Sequence, residues 1–304
     1  MLQDPLTIAG RASPVQRHAL KHRSCGWRRF GQPDLKESFM LTLALLVALA
    51  GPGAGTAAPP RLIRIDANDF SFSMPDSLAA GVYRIAMTVD GKEPHHAIFV
   101  LLEKGKRLGD FLAAGDGPPP AWARMVGGPG GIMPGAPASE ATLRLEPGRY
   151  AVICMVPSGD GVPHIAKGMS KELVVTGAAS TEALPRADVQ LKLVDYAFSF
   201  SKPLRTGRQV VQVTVPSGQP HEIVVFRLDP GKTAADVGAW GEHPVGPPPG
   251  TVVGGIAPLG EGATAQFTLD LAPGTYALIC FLPDARDGKP HHVHGMAQQV
   301  MIKG

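Results

Sequence analysis

The chain has little cysteine, no excess of charge beyond its first 58 residues, and no apolar run long enough to span a bilayer comfortably. Three cysteines in 304 residues are too few for the disulfide frameworks that staple small exported domains. Cys25 falls in the leader described below, which leaves Cys154 and Cys280 at matching positions of two repeats. Equivalent positions in two separate cores are too far apart for the short Cβ separation of a disulfide, so the two are expected unpaired. The formal net charge of +3 also comes from the front of the chain. With the seven basic and three acidic residues of positions 1–58 set aside, 22 basic and 23 acidic groups remain, a net of −1. No electrostatic footprint for nucleic acid survives.

The apolar run MLTLALLVALA at 40–50 follows a basic stretch and precedes GPGAGTAAPP, whose small residues around Ala54 to Ala58 suit signal peptidase. Residues 1–58 are therefore expected to be an export leader with its h-region at 40–50. Such a run is too short for a transmembrane helix, so the mature chain is expected without a membrane span, in the periplasm or otherwise exported. No cysteine sits just after the run to receive a lipid anchor.

What the chain has in plenty is Gly 37 and Pro 30, which suit short strands joined by many turns. It also repeats itself. Pro94-His95 answers Pro220-His221, Tyr150 answers Tyr276 and Cys154 answers Cys280, each at a shift of 126; Met169 answers Met296 at 127. Gly-Pro-Pro-Pro at 117–120 recurs at 246–249, Val126-Gly-Gly recurs at Val253-Gly-Gly, and DFSFS at 69 is matched to AFSFS at 197. A shift this steady indicates tandem duplication, with domain 1 at 59–177, a small-residue linker at 178–187 and domain 2 at 188–304.

The apolar pattern within each repeat is that of strands. VYRIAMTV (82–89), QVVQVTV (209–215), ATLRLE (141–146) and ATAQFTLD (263–270) alternate, while HAIFVLL (96–102) and EIVVFRL (222–228) are continuously apolar, as interior strands are. Short helices are expected near Arg107–Ala114 and Thr233–Trp240. The fold class is all-β, with seven or eight short strands per repeat forming an antiparallel two-sheet sandwich.

Four residues in each repeat carry chemistry: His95, Cys154, His164 and Met169, then His221, Cys280, His291 and Met296. Two imidazoles and a thiolate with a weaker thioether make up the blue-copper donor set. His292 and His294 compete with His291, which is preferred because Pro290-His291 keeps the spacing of Pro163-His164. His96, His243, His292 and His294 are expected on the solvated surface.

The pattern resembles the cupredoxin family, that of plastocyanin and azurin, through the Pro-His segments PHHAIF and PHEIVVF and the Cys, His and Met on one later loop. The resemblance implies two tandem cupredoxin-like Greek-key β-sandwiches, each with a type 1 copper. It also implies that His164 and His291 lie on the solvent side, where electrons reach the metal. The Cys-to-His gaps of nine and ten residues are longer than in plastocyanin or azurin, and closer to those of copper nitrite reductases.

One-electron transfer with an unnamed redox partner is the function this implies. Copper delivery uses the same ligands, and a metal-free sandwich for partner binding is a further alternative. Two-domain oxidases and nitrite reductases place a histidine beside the type 1 cysteine, whereas Ile153, Met155, Ile279 and Phe281 stand there in this chain. On that ground the chain is expected not to be an enzyme.

Overall fold

In the strand Arg61–Asn68 (β1), Ile63, Ile65 and Ala67 point inward while the residues between them face solvent, as a half-buried strand with a period of two requires. The structure, a computed structural model, describes residues 59–115, 117–216 and 218–304. The leader expected at 1–58 lies outside these residues. Among the described residues no helix is long and apolar enough to cross a membrane.

The first repeat continues through β2 (Ser71–Ser73), β3 (Ser77–Ala79), β4 (Gly81–Val89), β5 (Ile98–Leu102), α1 (Leu108–Ala113), β6 (Ala123–Met125), β7 (Ser139–Leu145), β8 (Gly148–Ile153) and β9 (Ser170–Thr176). The second runs β10 (Val189–Val194), β11 (Ala197–Phe200), β12 (Gly207–Thr214), β13 (His221–Leu228), α2 (Ala234–Glu242), β14 (Gly250–Leu259), β15 (Thr264–Leu271), β16 (Gly274–Ile279) and β17 (Ala297–Ile302). The fold is all-β, with the two helices close to their expected places.

Each repeat is a sandwich, but the two share a sheet. An eight-stranded sheet of order β11-β10-β12-β15-β7-β4-β1-β2 runs through both repeats, joined where Gln266 and Phe267 of β15 pair with Thr142 and Ala141 of β7. Facing it are a five-stranded sheet, β3-β9-β8-β5-β6, and a four-stranded one, β14-β13-β16-β17. The main core is accordingly continuous, including Ile85, Phe99 and Leu143 of the first repeat and Val213, Phe267 and Leu278 of the second. This differs from the two separate cores expected from the repeat, because pairing β7 with β15 extends one apolar face across the duplication.

The pairing is also not purely antiparallel. β1 lies parallel to β4, β10 to β12 and β3 to β9. Between β2 and β4 the chain visits the other sheet through β3, and a crossover of that kind permits a parallel return.

The continuously apolar strands have a use for both faces. One face of β5 and β8 enters the main core, with Phe99 and Val152. The other carries Ile98, Val100, Ala151 and Ile153 beneath Leu108 and Phe111 of α1 and Trp122. In the second repeat Phe226, Leu228 and Ile279 lie with Ala234 and Val237 of α2. Tyr150 and Tyr276 close the corners before β8 and β16, each hydroxyl donating to a carbonyl four residues upstream, Glu146 at 2.9 Å and Ala272 at 2.8 Å. This is the tyrosine-corner device of β-sandwiches.

Candidate metal centres

The strand ladders bring the upstream histidine to the cysteine. Ile98 of β5 pairs with Ile153 of β8, so His95 and Cys154, just beyond those residues, reach the same end of the sandwich. In the second repeat Val224 of β13 pairs with Ile279 of β16, which does the same for His221 and Cys280. A loop then leads to a 3-10 turn, His164–Lys167 or His291–His294. Each turn ends on a left-handed glycine, Gly168 (φ 100°) or Gly295 (φ 108°), a conformation that glycine adopts at little cost. That bend returns the chain so that the carbonyls of Met169 and Met296 accept from the N–H of Cys154 at 3.2 Å and of Cys280 at 3.1 Å. The Gly-Met pairs of the sequence are the product of this turn.

His95, Cys154 and His164 present Nδ1, Sγ and Nδ1 to one another, and all three side chains are buried. The nitrogens lie 3.0 Å apart, with Sγ 3.9 Å from that of His95 and 3.5 Å from that of His164. In the second repeat His221 Nδ1 is 3.1 Å from His291 Nδ1, which is 3.4 Å from Cys280 Sγ. Donors placed about 2.0–2.3 Å from a common ion leave edges of this size. His291, and neither His292 nor His294, completes the second cluster. Met169 and Met296 are fully buried at the end of each loop.

Protonation states agree with a metal site. Burial lowers the pKa of His95 and His221, against the raising effect of a neighbouring aspartate. Burial and the charge of His221 push His291 down to about 4. These three imidazoles are therefore neutral at neutral pH and hold a lone pair for a cation. Burial also pushes the Cys154 thiol up to about 11 and the Cys280 thiol still higher. A buried thiol of that kind ionises when a metal takes the place of its proton. The residues present thus fit a bound copper in their donor types, their convergence and their charge.

The carboxylates behind the histidines were not read from the sequence. Asp69 Oδ1 lies 3.2 Å from His95 Nε2, Glu93 Oε2 lies 2.7 Å from His164 Nε2, and Asp195 Oδ1 lies 2.7 Å from His221 Nε2. A carboxylate accepting the Nε2 proton leaves Nδ1 as the free donor and fixes the ring's orientation. Burial raises the pKa of Asp69, but hydrogen bonds from the N–H groups of Lys92 and Glu93 and from His95 outweigh it and hold the carboxyl below its ordinary value. His291 Nε2 is buried with no hydrogen-bond partner among the described residues.

The match of DFSFS at 69 to AFSFS at 197 concealed this pattern. The hairpins pair Asn68 with Ser71 and Val194 with Ala197, so the true shift is 126. Asp69 then stands opposite Asp195, and Phe70 opposite Tyr196.

Two further expectations are corrected. His164 and His291 are not open to solvent, since both are completely buried. Phe70 stands edge-on to His164 at 5.2 Å, with Lys167 Nζ 5.1 Å from the centre of the Phe70 ring, and Tyr196 stands edge-on to His291 at 5.4 Å. The hairpin tips cover the rings. Nor is His96 a solvated surface residue. It is buried, its Nε2 accepts from the N–H of Met155 at 2.8 Å, and burial pushes its pKa down to about 3. Its counterpart Glu222 accepts from the N–H of Phe281 at 3.2 Å, and burial pushes it up to about 7. The side chain of His292 is also largely buried, edge-on to Phe281 at 5.6 Å. His294 bonds Asp287 at 3.2 Å, and His243 is exposed.

No protein-family model and no curated protein matches the chain. Among solved structures it is similar to auracyanin A, a "blue" copper protein from Chloroflexus aurantiacus, at 23% identity over 39% of this chain and 100% of that one, with a TM-score of 0.27. It is also similar to a copper nitrite reductase from Nitrosomonas europaea, at 14% identity over 81% of this chain and 95% of that one, TM-score 0.25. A blue copper oxidase from the same organism is 15% identical over 81% of this chain and 86% of that one, TM-score 0.23.

The two all-β sandwiches, each with a buried His/Cys/His cluster, agree with the cupredoxin resemblance of the sequence. The structures the chain is similar to over 81% of its length are named as enzymes, a reductase and an oxidase. The expectation that the chain is not an enzyme is therefore corrected.

Proposed function

We propose that the chain is an exported copper protein that takes part in one-electron transfer, with one type 1 copper per repeat. The ligands are His95, Cys154, His164 and Met169 in the repeat spanning 59–177, and His221, Cys280, His291 and Met296 in that spanning 188–304. The observation that carries this reading is the pair of matched, buried His/Cys/His triads with converging Nδ1 and Sγ atoms. Bound copper supplies a one-electron couple, which a set of two imidazoles, a thiolate and a weak thioether suits. The chain's own residues hold the donors in place. Asp69, Glu93 and Asp195 fix the tautomers of three imidazoles, the sandwich end excludes water from all four, and Phe70 and Tyr196 cover the outer rings. The leader at 1–58 supports action in the periplasm or beyond it, with a redox protein as the exchange partner.

The test is copper loading of the purified chain. About two copper ions should bind and produce an intense visible band from thiolate-to-copper(II) charge transfer. Cys154→Ala and Cys280→Ala should each remove one ion and that site's share of the band. A colourless copper-loaded protein overturns the type 1 assignment. Transfer of the metal to an acceptor protein without electron exchange turns the reading to copper delivery.

A further inference from the structure

The two centres are copies in their ligands and differ in what stands behind one of them. Glu93 precedes His95 by two residues, and at the same shift of 126 the second repeat has Gln219. The carboxylate of Glu93 lies 2.7 Å from Nε2 of His164. Gln219 does not reach the corresponding ring. Its Nε2 donates to Asp284 at 2.8 Å and to the Tyr196 hydroxyl at 3.4 Å, and its Oε1 accepts from the N–H of Ala285 at 2.8 Å. Among the described residues, His291 Nε2 is left buried without a partner. The remaining histidine ligands are alike, because Asp69 backs His95 as Asp195 backs His221.

We propose that the Glu93/Gln219 exchange sets the two coppers to different potentials, making the first-repeat centre the stronger reductant and the second-repeat centre the place where an electron rests. The proposal rests on the copper reading above. Glu93 is a positioning and tuning residue, since it touches a ligand and not the metal. A carboxylate accepting the Nε2 proton raises the basicity of the imidazole and places a negative charge near the metal. Both effects favour copper(II) over copper(I). A ring without that acceptor donates less and favours copper(I).

Other charges near the second site do not reproduce the effect. Asp284 is bound by Tyr196, by Gln219 and by Arg286, whose Nε lies 3.2 Å away, so its charge is matched by a guanidinium. Glu222 accepts from the N–H of Phe281 and makes no hydrogen bond to either ring. The route between the centres is short in hydrogen bonds. The N–H of Ala97, two residues past His95, donates to Pro129 at 3.1 Å. The N–H of Ala257 donates to Gly128 at 3.0 Å, and Leu259 pairs with His221.

Spectroelectrochemical titration of the visible band tests this, with Cys280→Ala isolating the first centre and Cys154→Ala the second. The expected result is a lower midpoint for the first centre by at least a tenfold equilibrium constant, 59 mV for one electron. Glu93→Gln in the Cys280→Ala background should raise that midpoint, and Gln219→Glu in the Cys154→Ala background should lower the other. Either substitution decides the matter should the other fail to fold by circular dichroism. Bands whose midpoints coincide, stand in the reverse order or ignore the substitutions overturn the proposal and leave the copper reading intact. Absence of any copper-dependent band overturns both.

Discussion

Asp195 Oδ1 stands 2.7 Å from Nε2 of His221, and Asp69 stands in the same relation to His95 at 3.2 Å. Each aspartate lies at the tip of a hairpin, and each directs Nδ1 of its histidine at the cysteine. Removing a carboxylate from behind a metal-binding histidine lowers metal affinity by about 10–100-fold. Asp195→Asn and Asp69→Asn should each weaken copper binding by that factor at their own centre alone. Competition titration against a copper chelator, in the single-site Cys→Ala backgrounds, measures it. Equal weakening of both centres by one substitution would show a general loss of structure.

The convergence of histidine and cysteine was legible in the sequence because the residue types recur at fixed spacing: His95, Cys154 and His164 repeat as His221, Cys280 and His291. The strands were legible because a period of two records one buried face, as in β7 and β12. Asp69 and Asp195 were not, since an aspartate at a turn is ordinary in sequence and a false match of FSF to FSF displaced the frame by two residues. The shift of 126 shared by Tyr150, Cys154 and His95 would have found them. The burial of His164 and His291 was illegible for a different reason: Phe70 and Tyr196 act across space from the far end of the repeat. The shared sheet likewise depends on a pairing of β7 with β15 that neither strand's own pattern specifies.

Tyr150 and Tyr276 are expected to serve stability and leave the metal sites untouched. Their hydroxyls donate to Glu146 and Ala272 while the rings lie in the main core. Replacement by phenylalanine keeps the ring and removes one hydrogen bond, a loss of about 1 kcal/mol each. Urea unfolding should show a lower midpoint at an unchanged slope, and copper stoichiometry should stay the same.

Gly128 and Gly255 are expected to tolerate no side chain. A Cβ on Gly128 would stand 1.9 Å from the carbonyl oxygen of Ala97, and one on Gly255 would stand 2.0 Å from that of Ile223. Both residues have positive φ, 149° and 137°. The contacted carbonyls lie two residues past His95 and His221, so alanine would push on the strand that carries a ligand. Gly128→Ala and Gly255→Ala should each destabilise by about 1–3 kcal/mol, as overpacking does. Each should also broaden the visible band of its own centre, which absorption spectra of single-site variants would reveal.

Asp284 should make the metal-free protein acid-sensitive through the second ligand loop. The Tyr196 hydroxyl donates to its carboxylate, and although burial opposes ionisation, further hydrogen bonds from Gln219 and from Arg286 hold the pKa well below the ordinary aspartate value. A folded-state pKa below the unfolded one contributes stability that is fully present above the unfolded value, about 3.9 for aspartate. As pH falls below that value toward the folded pKa, the unfolded state takes up the proton first and the contribution is lost. Asp284→Asn should therefore lower stability at neutral pH and remove this part of the acid dependence. In urea titrations of metal-free protein, the gap between wild type and variant should be constant from pH 7 to about 5 and close below about 4. A gap that persists to pH 3 would mean that the hydrogen-bonding shape of Asp284, and not its charge, holds Tyr196 over His291.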